Sequence, residues 1–556
     1  MNLNTKTLTV YVGKNKIKLT ERNYLAEGGE GRIYKDGDTI YKIYIDPLKV
    51  IPVSKIKELQ ELKHDNIITP IDLVFDQTQS LIGFTMKSVD GFELCRLFNT
   101  IYLDDNNITD KQLETLVENK IKTIEFIHQH DCLIVDGNEM NYLFSKKDVT
   151  KPYFIDVNAY ATKSFKADAY TPLCTEPNIT KFDRLSDWYS FAILACKIFV
   201  GMHPFKGFHQ GYTKKDTLKR MIDKISIFNK DTKLPKSARD FSHIPSEYFK
   251  WFVDIFENGK RIAPPKVGGL FNVSVVKQQL TQIMGNFILE RIKKTQMNIR
   301  RVFCYNNELE VIYKEDDYNI VLFGNITNKA YYFTGNNGYL LAKNPDEIAV
   351  PNLKYEYYFV KDNKLYIINN GMIVPMKLIE IGNKASMSPE SVWNIPKLSS
   401  RVFDGVVSAV LFGCNYLYIP IERGGTGLVI IKHIKEFDGH KVVYARCEKN
   451  VCIVITFKDS KYNRSIIKFD KIFEQYSIRT EDDIAYPYIN FTVLDNGVCI
   501  MMTENAEIEI FHSSFTMNDV KRIVSGELNN KMILFNNGTQ VMFYQKNEIF
   551  KISVKK

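Results

Sequence analysis

An aspartate, an asparagine five residues later and a second aspartate form the pattern with the clearest chemical meaning: Asp136, Asn141 and Asp156. The second aspartate follows a short apolar run, residues 153–155, which is typical of a strand. One carboxylate can orient an attacking hydroxyl group, while an amide and a second carboxylate can hold Mg²⁺. The order therefore predicts transfer of a phosphoryl group from a metal-bound nucleotide.

Glycines between two predicted strands suggest where phosphate oxygens would lie. Gly28, Gly29 and Gly31 fall in a strand–turn–strand segment, where backbone amides can approach phosphate without an intervening side chain. Lys42 follows one strand later and would meet the phosphates with its positive charge. Each feature alone is weak, because glycine-rich hairpins are common and a lysine on a strand is often simply exposed.

The elements that must position these groups change along the chain. Up to about residue 75 the sequence reads as short strands, with a tight hairpin at Asp36-Gly37. From Ile108 to about Gly285 the apolar residues recur at helical spacing. The helical pattern continues through residues 274–294, and its basic end is expected to be a solvated linker.

Beyond residue 300 the chain is a succession of short strands rich in Tyr, Phe, Ile and Val. Turn candidates recur between Asn307 and Asn537-Gly538 at intervals of about 30 to 46 residues. Radial β-propellers repeat four short strands per blade at about that length, so we expect six or seven blades. One or two β-sandwiches are the alternative, because they share the short strands and the turn signals.

Taken in this order, the motifs of residues 20–285 resemble the protein-kinase fold. Gly28 and Gly31 match the glycine-rich loop, and Lys42 matches the lysine of the third strand. Asp136 and Asn141 match the catalytic loop at the family's spacing, and Asp156 matches the aspartate that opens the activation segment. Asp187, Glu176 and Arg261 match architectural positions, the last two as an ion pair.

The resemblance implies ATP and Mg²⁺ as cofactors and assigns three groups of site residues. The implied catalytic residues are Asp136, Lys42 and Asn138. The implied nucleotide-binding residues are Ala26, Gly28, Gly29, Gly31, Ile33, Lys42, Glu58, Met86 and Ser88. The implied metal ligands are Asn141 and Asp156.

Several positions depart from the family pattern. Ile134 and Val135 replace the His-Arg pair before the catalytic aspartate, so control by activation-loop phosphorylation is not expected. Asn138 replaces a lysine that steadies the γ-phosphate. Lys55 stands where a helix glutamate should pair with Lys42, and we expect Glu58, one turn later, to replace it.

The predicted architecture is multidomain, α+β followed by all-β. It is a bilobal protein-kinase-like fold, with the N-lobe at 1–90 and the C-lobe at 91–285, then a linker at 286–300 and a β-propeller-like domain at 301–556. Similar divergent kinase-like sequences occur in bacteria and their phages. We therefore expect a cytoplasmic location, in the host cytoplasm or in the virion if the source is a phage.

Composition excludes several classes of protein. Lys and Arg total 74 against 65 Asp and Glu, a surplus of nine charges that is too diffuse to predict a specific nucleic-acid partner. The sequence shows neither an apolar stretch of membrane-spanning length nor a signal peptide, so no membrane association is expected. The nine cysteines lack metal-ligand spacing and are expected to be reduced thiols.

Two functions remain open at this level. The first is an ATP-dependent Ser/Thr protein-kinase-like phosphotransferase whose C-terminal β domain binds a protein substrate or partner. The alternative is a pseudokinase scaffold, or a phage structural or assembly protein, that uses the kinase fold and the propeller for protein interactions.

Overall fold

A computed structural model of the chain describes residues 7–167, 170–235, 238–265, 287–306 and 308–554. The chain divides into two units. The first unit comprises residues 1–280 together with two short later segments, 458–462 and 483–487. The second unit comprises residues 281–457, 463–482 and 488–556.

The front of the first unit is a seven-stranded sheet with the strand order β2-β1-β6-β7-β5-β4-β3. Its neighbouring strands are antiparallel, and Gly37, with φ of +57°, closes the predicted hairpin between β4 and β5. One short helix, α1 (Val53–Leu59), lies between β5 and β6. The strands are β1 (Leu8–Val12), β2 (Asn15–Leu19), β3 (Tyr24–Glu27), β4 (Gly31–Asp36), β5 (Thr39–Tyr44), β6 (Leu73–Phe75) and β7 (Leu81–Lys87).

Helices dominate the rest of the first unit. They are α2 (Thr100–Asp105), α3 (Asp110–Gln129), α4 (Arg184–Val200), α5 (Thr217–Asp223) and α6 (Ser246–Phe256). Helix α4 is apolar nearly all round and is buried along most of its length, which makes it the central support of this part. A small sheet of β8 (Gly91–Glu93), β9 (Tyr142–Ser145) and β10 (Pro152–Phe154) lies beside the helices.

The second unit is built almost entirely of strands, as the sequence predicts. Its strands are β11 (Phe287–Lys294), β12 (Ile299–Tyr305), β13 (Glu308–Tyr313), β14 (Ile320–Phe323), β15 (Ala330–Asn336), β16 (Tyr339–Ala342), β17 (Ile348–Ala349), β18 (Tyr357–Lys361), β19 (Lys364–Asn369), β20 (Met372–Ile381), β21 (Lys384–Pro389), β22 (Trp393–Asn394), β23 (Ser400–Phe403), β24 (Val406–Leu411), β25 (Cys414–Arg423), β26 (Thr426–His433), β27 (Lys441–Glu448), β28 (Val451–Lys458), β29 (Lys461–Phe469), β30 (Tyr476–Ile484), β31 (Phe491–Val493), β32 (Val498–Met502), β33 (Ile508–His512), β34 (Val520–Ile523), β35 (Ile533–Asn537), β36 (Gln540–Gln545) and β37 (Glu548–Val554).

These strands form successive small sheets, each from neighbouring stretches of chain. Strands β23 to β26, β27 to β30 and β31 to β34 make three four-stranded sheets in chain order. A further four-stranded sheet has the order β11-β37-β36-β35, so the first and last strands pair with each other. The hairpin turns at Asn337-Gly338 and Asn370-Gly371 have positive φ at both residues, as Asn-Gly turns predict. The turn candidate at Asn307 lies outside the described residues.

Two expectations from the sequence are wrong here. Residues 287–294, predicted as helix and linker, form strand β11, because their partner β37 lies at the far end of the chain. The rest of that predicted helix falls outside the described residues. Cys447 and Cys452 are directly opposite each other on β27 and β28 and form a disulfide, whereas the other seven cysteines carry none.

No helix in the described ranges combines the length and the apolar character that crossing a bilayer requires.

Candidate active site

The glycine-rich turn between β3 and β4 is closed by a hydrogen bond from the Gly28 N–H to the Gly31 carbonyl at 3.0 Å. A Cβ on Gly31 would lie 2.7 Å from the carbonyl oxygen of Ile43, so glycine is required there by the neighbouring strand. Gly28 and Gly29 have no atoms within 4 Å of an added Cβ. Their backbone is therefore open to a ligand, as a phosphate-binding turn requires.

Four of the predicted nucleotide-site residues share one face of the front sheet. Ala26 is opposite Ile33, and Ile33 is opposite Lys42. Residues directly opposite in an antiparallel pair point to the same face. Met86 is opposite Ile40, two residues from Lys42, and therefore also lies on this face. Ser88 follows β7 and donates its N–H to the Asp38 carbonyl at 2.8 Å.

Lys42 is buried and its ammonium group has three side-chain partners. Its Nζ lies 2.6 Å from Asp156 Oδ1, 2.9 Å from Asn158 Oδ1 and 3.3 Å from Glu30 Oε2. Asn158 Nδ2 in turn donates to Glu30 Oε2 at 3.3 Å. The lysine is thereby fixed between the glycine-rich turn and the segment that follows β10.

The prediction that Glu58 replaces the missing helix glutamate is wrong. The Glu58 carboxylate accepts the Ser164 N–H at 3.2 Å, and hydrogen bonds with Ser164 and Thr162 lower its pKa. Glu30 and Asn158 hold Lys42 instead. Glu30 and Asn158 both lie in motifs that the sequence analysis recognises. The prediction searched only the helix after β5 for a partner of Lys42, and helical spacing does not indicate that a turn can supply that partner.

The catalytic-loop residues converge as the sequence predicts. Asn141 Nδ2 donates to the Asp136 carbonyl at 3.0 Å and to Asp136 Oδ2 at 3.2 Å. The Ile155 N–H donates to the Asn141 carbonyl at 3.0 Å, which brings Asp156 next to this pair. Asp156 has φ of +60°, a left-handed conformation that turns the chain directly after β10.

Asp136 is the carboxylate with the most unusual environment in the site. Burial raises its pKa, with a smaller contribution from the charge of Asp156, while hydrogen bonding with Thr171 and Asn141 opposes the rise. Its Oδ1 is buried and accepts no hydrogen bond of good geometry. A carboxylate whose pKa is shifted by burial next to a second carboxylate is a candidate for an acid–base role.

The side-chain oxygen of Asn138 is engaged within its own loop and not with Asp136 or Asn141. Its Oδ1 accepts the Met140 N–H at 2.9 Å and caps the short turn 139–141. Because the oxygen is engaged, only the amide nitrogen of Asn138 is left for the predicted catalytic contribution. The assignment of Asn138 as a catalytic residue stays a prediction.

Helix α4 packs against the loop 134–141 and holds its backbone through Asp187. Asp187 accepts the backbone N–H groups of Ile134 at 2.8 Å and Val135 at 2.9 Å, and its Oδ2 lies 2.9 Å from His128 Nε2. Val135 has φ of +62°, a strained conformation for a β-branched residue. A Cβ on Gly137 would lie 2.7 Å from Ser190 Cβ, so the loop lies directly on the helix.

The predicted architectural ion pair is confirmed. Arg261 Nε donates to Glu176 Oε2 at 3.0 Å, and its terminal nitrogens donate to Asp183, the residue that caps α4. This arrangement ties the end of the activation segment to the start of the central helix.

The residues present fit a nucleotide with a divalent cation. The carboxylate of Asp156 and the amide oxygen of Asn141 are the kind of ligands that Mg²⁺ binds. The open backbone at Gly28 and Gly29 and the charge of Lys42 suit the phosphates. The arrangement can therefore support phosphoryl transfer.

Comparison with known proteins finds sequence similarity over only part of the chain. No model of a known protein family matches the chain. A stretch of 203 residues is 24% identical to a protein of Arabidopsis thaliana named serine/threonine-protein kinase TIO. The match covers 33% of this chain and 14% of that protein. The chain therefore spans only a small part of the length of this relative.

Two solved structures overlap with 46% of this chain. The twitchin kinase fragment of C. elegans, with immunoglobulin domains, has a TM-score of 0.34 and 14% identity, and 55% of it is covered. The autoinhibited serine kinase domain of titin has a TM-score of 0.32 and 12% identity, and 77% of it is covered. Both TM-scores lie below 0.5, so the observed similarity to a kinase is the partial sequence match.

A cluster of possible metal ligands lies in the second unit, where the sequence spacing predicts none. Ligand atoms of Cys414, His433 and Asp438 all lie within 4.8 Å of one another. His433 Nε2 is already 2.8 Å from Asp438 Oδ2, and Asp438 Oδ1 accepts the Asn415 N–H at 2.8 Å. The cluster is thus explained by a contact between His433 and Asp438 and by a backbone hydrogen bond to Asp438.

Proposed function

We propose that the chain is an ATP-dependent phosphotransferase of the Ser/Thr protein-kinase-like class. The observation that carries this proposal is the convergence of Lys42, Asp136, Asn141 and Asp156 at one site. The name of the relative, a serine/threonine-protein kinase, favours a serine or threonine hydroxyl as the acceptor.

Each of these side chains has a distinct task in the proposed reaction. Bound ATP with Mg²⁺ would supply the transferable phosphoryl group and the charge neutralisation. Asp136 accepts a hydrogen bond from the acceptor hydroxyl and orients its oxygen for attack. Lys42 balances negative charge on the phosphates, and Asn141 and Asp156 would hold the metal.

For the second unit we propose a β-propeller of six or seven blades that binds a protein substrate or partner. Its successive small sheets and the pairing of β11 with β37 support closure of a ring. A cavity of about 160 Å³ is lined by residues on or beside six of the seven described sheets of this unit, namely Val302, Lys361, Asp404, Arg446, Thr492 and Asn536. An experimental structure with blades around this cavity would support the proposal, and two stacked sheets would refute it. The bacterial or phage origin stays a prediction.

A pseudokinase scaffold is the second candidate. The side-chain oxygen of Asn138 accepts a hydrogen bond from the Met140 N–H, and the side chain carries no charge where the kinase family has a lysine. A chain with this loop could bind nucleotide without efficient transfer. This candidate predicts stabilisation by ATP and Mg²⁺ with no phosphorylated product.

A transfer assay separates the two candidates. The full chain, its variants Asp156→Ala and Lys42→Met, and the control Asp104→Asn, an exposed residue of α2, are incubated with labelled ATP, Mg²⁺ and a generic protein acceptor. We expect label in the acceptor for wild type and control, and nearly none for the two site variants. Binding alone should stabilise the wild type by about 2.7 kcal/mol at a hundredfold excess of nucleotide over Kd. Absence of transfer despite such stabilisation would refute the enzyme and favour the scaffold.

A further inference from the structure

Glu139, in the middle of the catalytic loop, is the most deeply buried charged residue of the loop, with 1% of its surface exposed. Its carboxylate accepts a hydrogen bond from the ammonium group of Lys197 on α4. The same oxygen accepts the phenol O–H of Tyr462 at 2.9 Å. Lys197 and Tyr462 are themselves 5% and 3% exposed. The loop therefore carries a buried charge with partners from two distant parts of the chain.

Tyr462 belongs to the first unit although it follows the loop by more than 300 residues. Segment 458–462 contains the turn from β28 to β29, where Asp459 and Ser460 both have positive φ. The other late segment of the first unit is held by Lys206, whose Nζ lies 2.6 Å from Asp483 Oδ1. The hydrogen bond between Tyr462 and Glu139 is buried, and the ion pair between Lys206 and Asp483 is partly buried.

A buried carboxylate is costly unless its charge is paired and its oxygens receive hydrogen bonds. Lys197 supplies the charge, and Tyr462 supplies a donor that fixes the direction of the carboxylate. Glu139 begins the short turn 139–141, and Asn141 at the end of that turn holds Asp136 through its side chain. A shift of Glu139 would therefore move the two polar groups on which the site depends.

We propose that Tyr462 is a positioning residue for the catalytic loop, acting through Glu139 and Lys197. This inference rests on the proposed function for its catalytic consequence. Tyr462 is not proposed to contact nucleotide or acceptor, so its loss should lower turnover without weakening nucleotide binding. Segment 458–462 would then be a required part of the phosphotransferase.

The experiment uses the full chain with Tyr462→Phe, which removes one hydroxyl group and keeps the ring. The matched control is Asp483→Asn at the other late segment. Its backbone is left-handed, with φ of +56°, a conformation that asparagine tolerates. Hydrogen exchange of residues 134–145 is measured along with kcat and the Kd for ATP with Mg²⁺.

For Tyr462→Phe we expect faster exchange in residues 134–145 and a kcat lower by about tenfold, with Kd within about threefold of wild type. Asp483→Asn should leave exchange in those residues unchanged. If loop exchange and kcat of Tyr462→Phe both equal those of wild type, the proposal is overturned. Equal acceleration over α4 and the seven-stranded sheet would indicate general loosening and would also overturn it.

The exchange measurement does not depend on activity. If the wild type neither binds ATP nor transfers phosphate, the proposed function fails. Faster exchange confined to residues 134–145 in Tyr462→Phe would in that case still show that the hydrogen bond from Tyr462 to Glu139 stabilises this loop.

Discussion

The side-chain amide of Asn158 joins the candidate catalytic lysine to the glycine-rich turn. Its Oδ1 accepts a hydrogen bond from Lys42 Nζ at 2.9 Å, and its Nδ2 donates to Glu30 Oε2 at 3.3 Å. Asn158 is buried, with 3% of its surface exposed. The orientation of Lys42 therefore depends on a residue of the activation segment and on a turn, and not on helix α1.

Replacing Asn158 by leucine should misplace Lys42, because leucine fills a similar volume but accepts no hydrogen bond. We expect phosphate transfer to fall by about tenfold or more, since misplacement of a group that contacts the phosphates is costly. The measurement is kcat with a generic acceptor, compared with Asn106→Ala on the exposed end of α2. Turnover equal to wild type would show that Asn158 does not position the lysine.

The carboxylate of Glu30 lies where negative phosphates are proposed to approach Lys42. Glu30→Gln keeps an acceptor for the lysine and removes the repulsion, so the Kd for ATP with Mg²⁺ should fall by about two- to fivefold. The effect should shrink at high salt, because the Glu30 side chain is 42% exposed. Calorimetric titration of this variant and of Glu61→Gln, an exposed control, measures the change. Weaker binding by Glu30→Gln would contradict the proposed position of the phosphates.

Two glycines of the turn should respond differently to alanine. At Gly31 a Cβ would lie 2.7 Å from the backbone of Ile43, whereas at Gly28 no atom lies within 4 Å. Gly31→Ala should lower the free energy of unfolding by about 1–3 kcal/mol, the usual cost of forcing an atom into packed structure. Gly28→Ala should leave it within about 0.5 kcal/mol. Denaturant unfolding without nucleotide checks both, and equal stability of the two variants would contradict the described packing.

The pH dependence of transfer should reflect Asp136. Burial raises the pKa of its carboxyl, and only the charged form can accept the hydroxyl proton. Activity should therefore be lost on the acid side at a higher pH than for an exposed aspartate. Hydrogen bonding with Thr171 lowers the pKa, so Thr171→Val should move the acid limb of kcat/KM to still higher pH. A limb that stays in place or moves to lower pH would argue against Asp136 as the titrating group.

The order of motifs was sufficient to predict which polar groups meet. Lys42 lies on β5 and Asp156 follows β10, while Asp136 and Asn141 lie in the loop before β9, and all four are brought together in the order that the motifs predict. The predicted pair of Arg261 with Glu176 is also present. Local sequence could not reveal the partners of Lys42, because Glu30 and Asn158 come from irregular segments without periodicity.

Contacts between distant parts of the chain could not be predicted from the sequence where the residues lie outside the recognised motifs. Residues 287–294 have helical spacing of apolar residues, but pairing with β37, about 260 residues away, makes them a strand. Lys197 interrupts the apolar pattern of α4, which is a signal of a buried ion pair, and it contacts Glu139. Nothing in the sequence around Tyr462 indicates that it belongs to the first unit.

The most direct test of the proposed phosphotransferase is the substitution Asp136→Asn, which keeps the size of the side chain and removes its charge. The measurement is the rate of γ-phosphate transfer together with the Kd for ATP with Mg²⁺, in wild type and variant. We predict a loss of about 10²–10⁴-fold in transfer, with Kd little changed, because Asp136 orients the acceptor and is not proposed to bind the nucleotide. Transfer that survives at the wild-type rate would contradict the assignment of Asp136 as the catalytic residue.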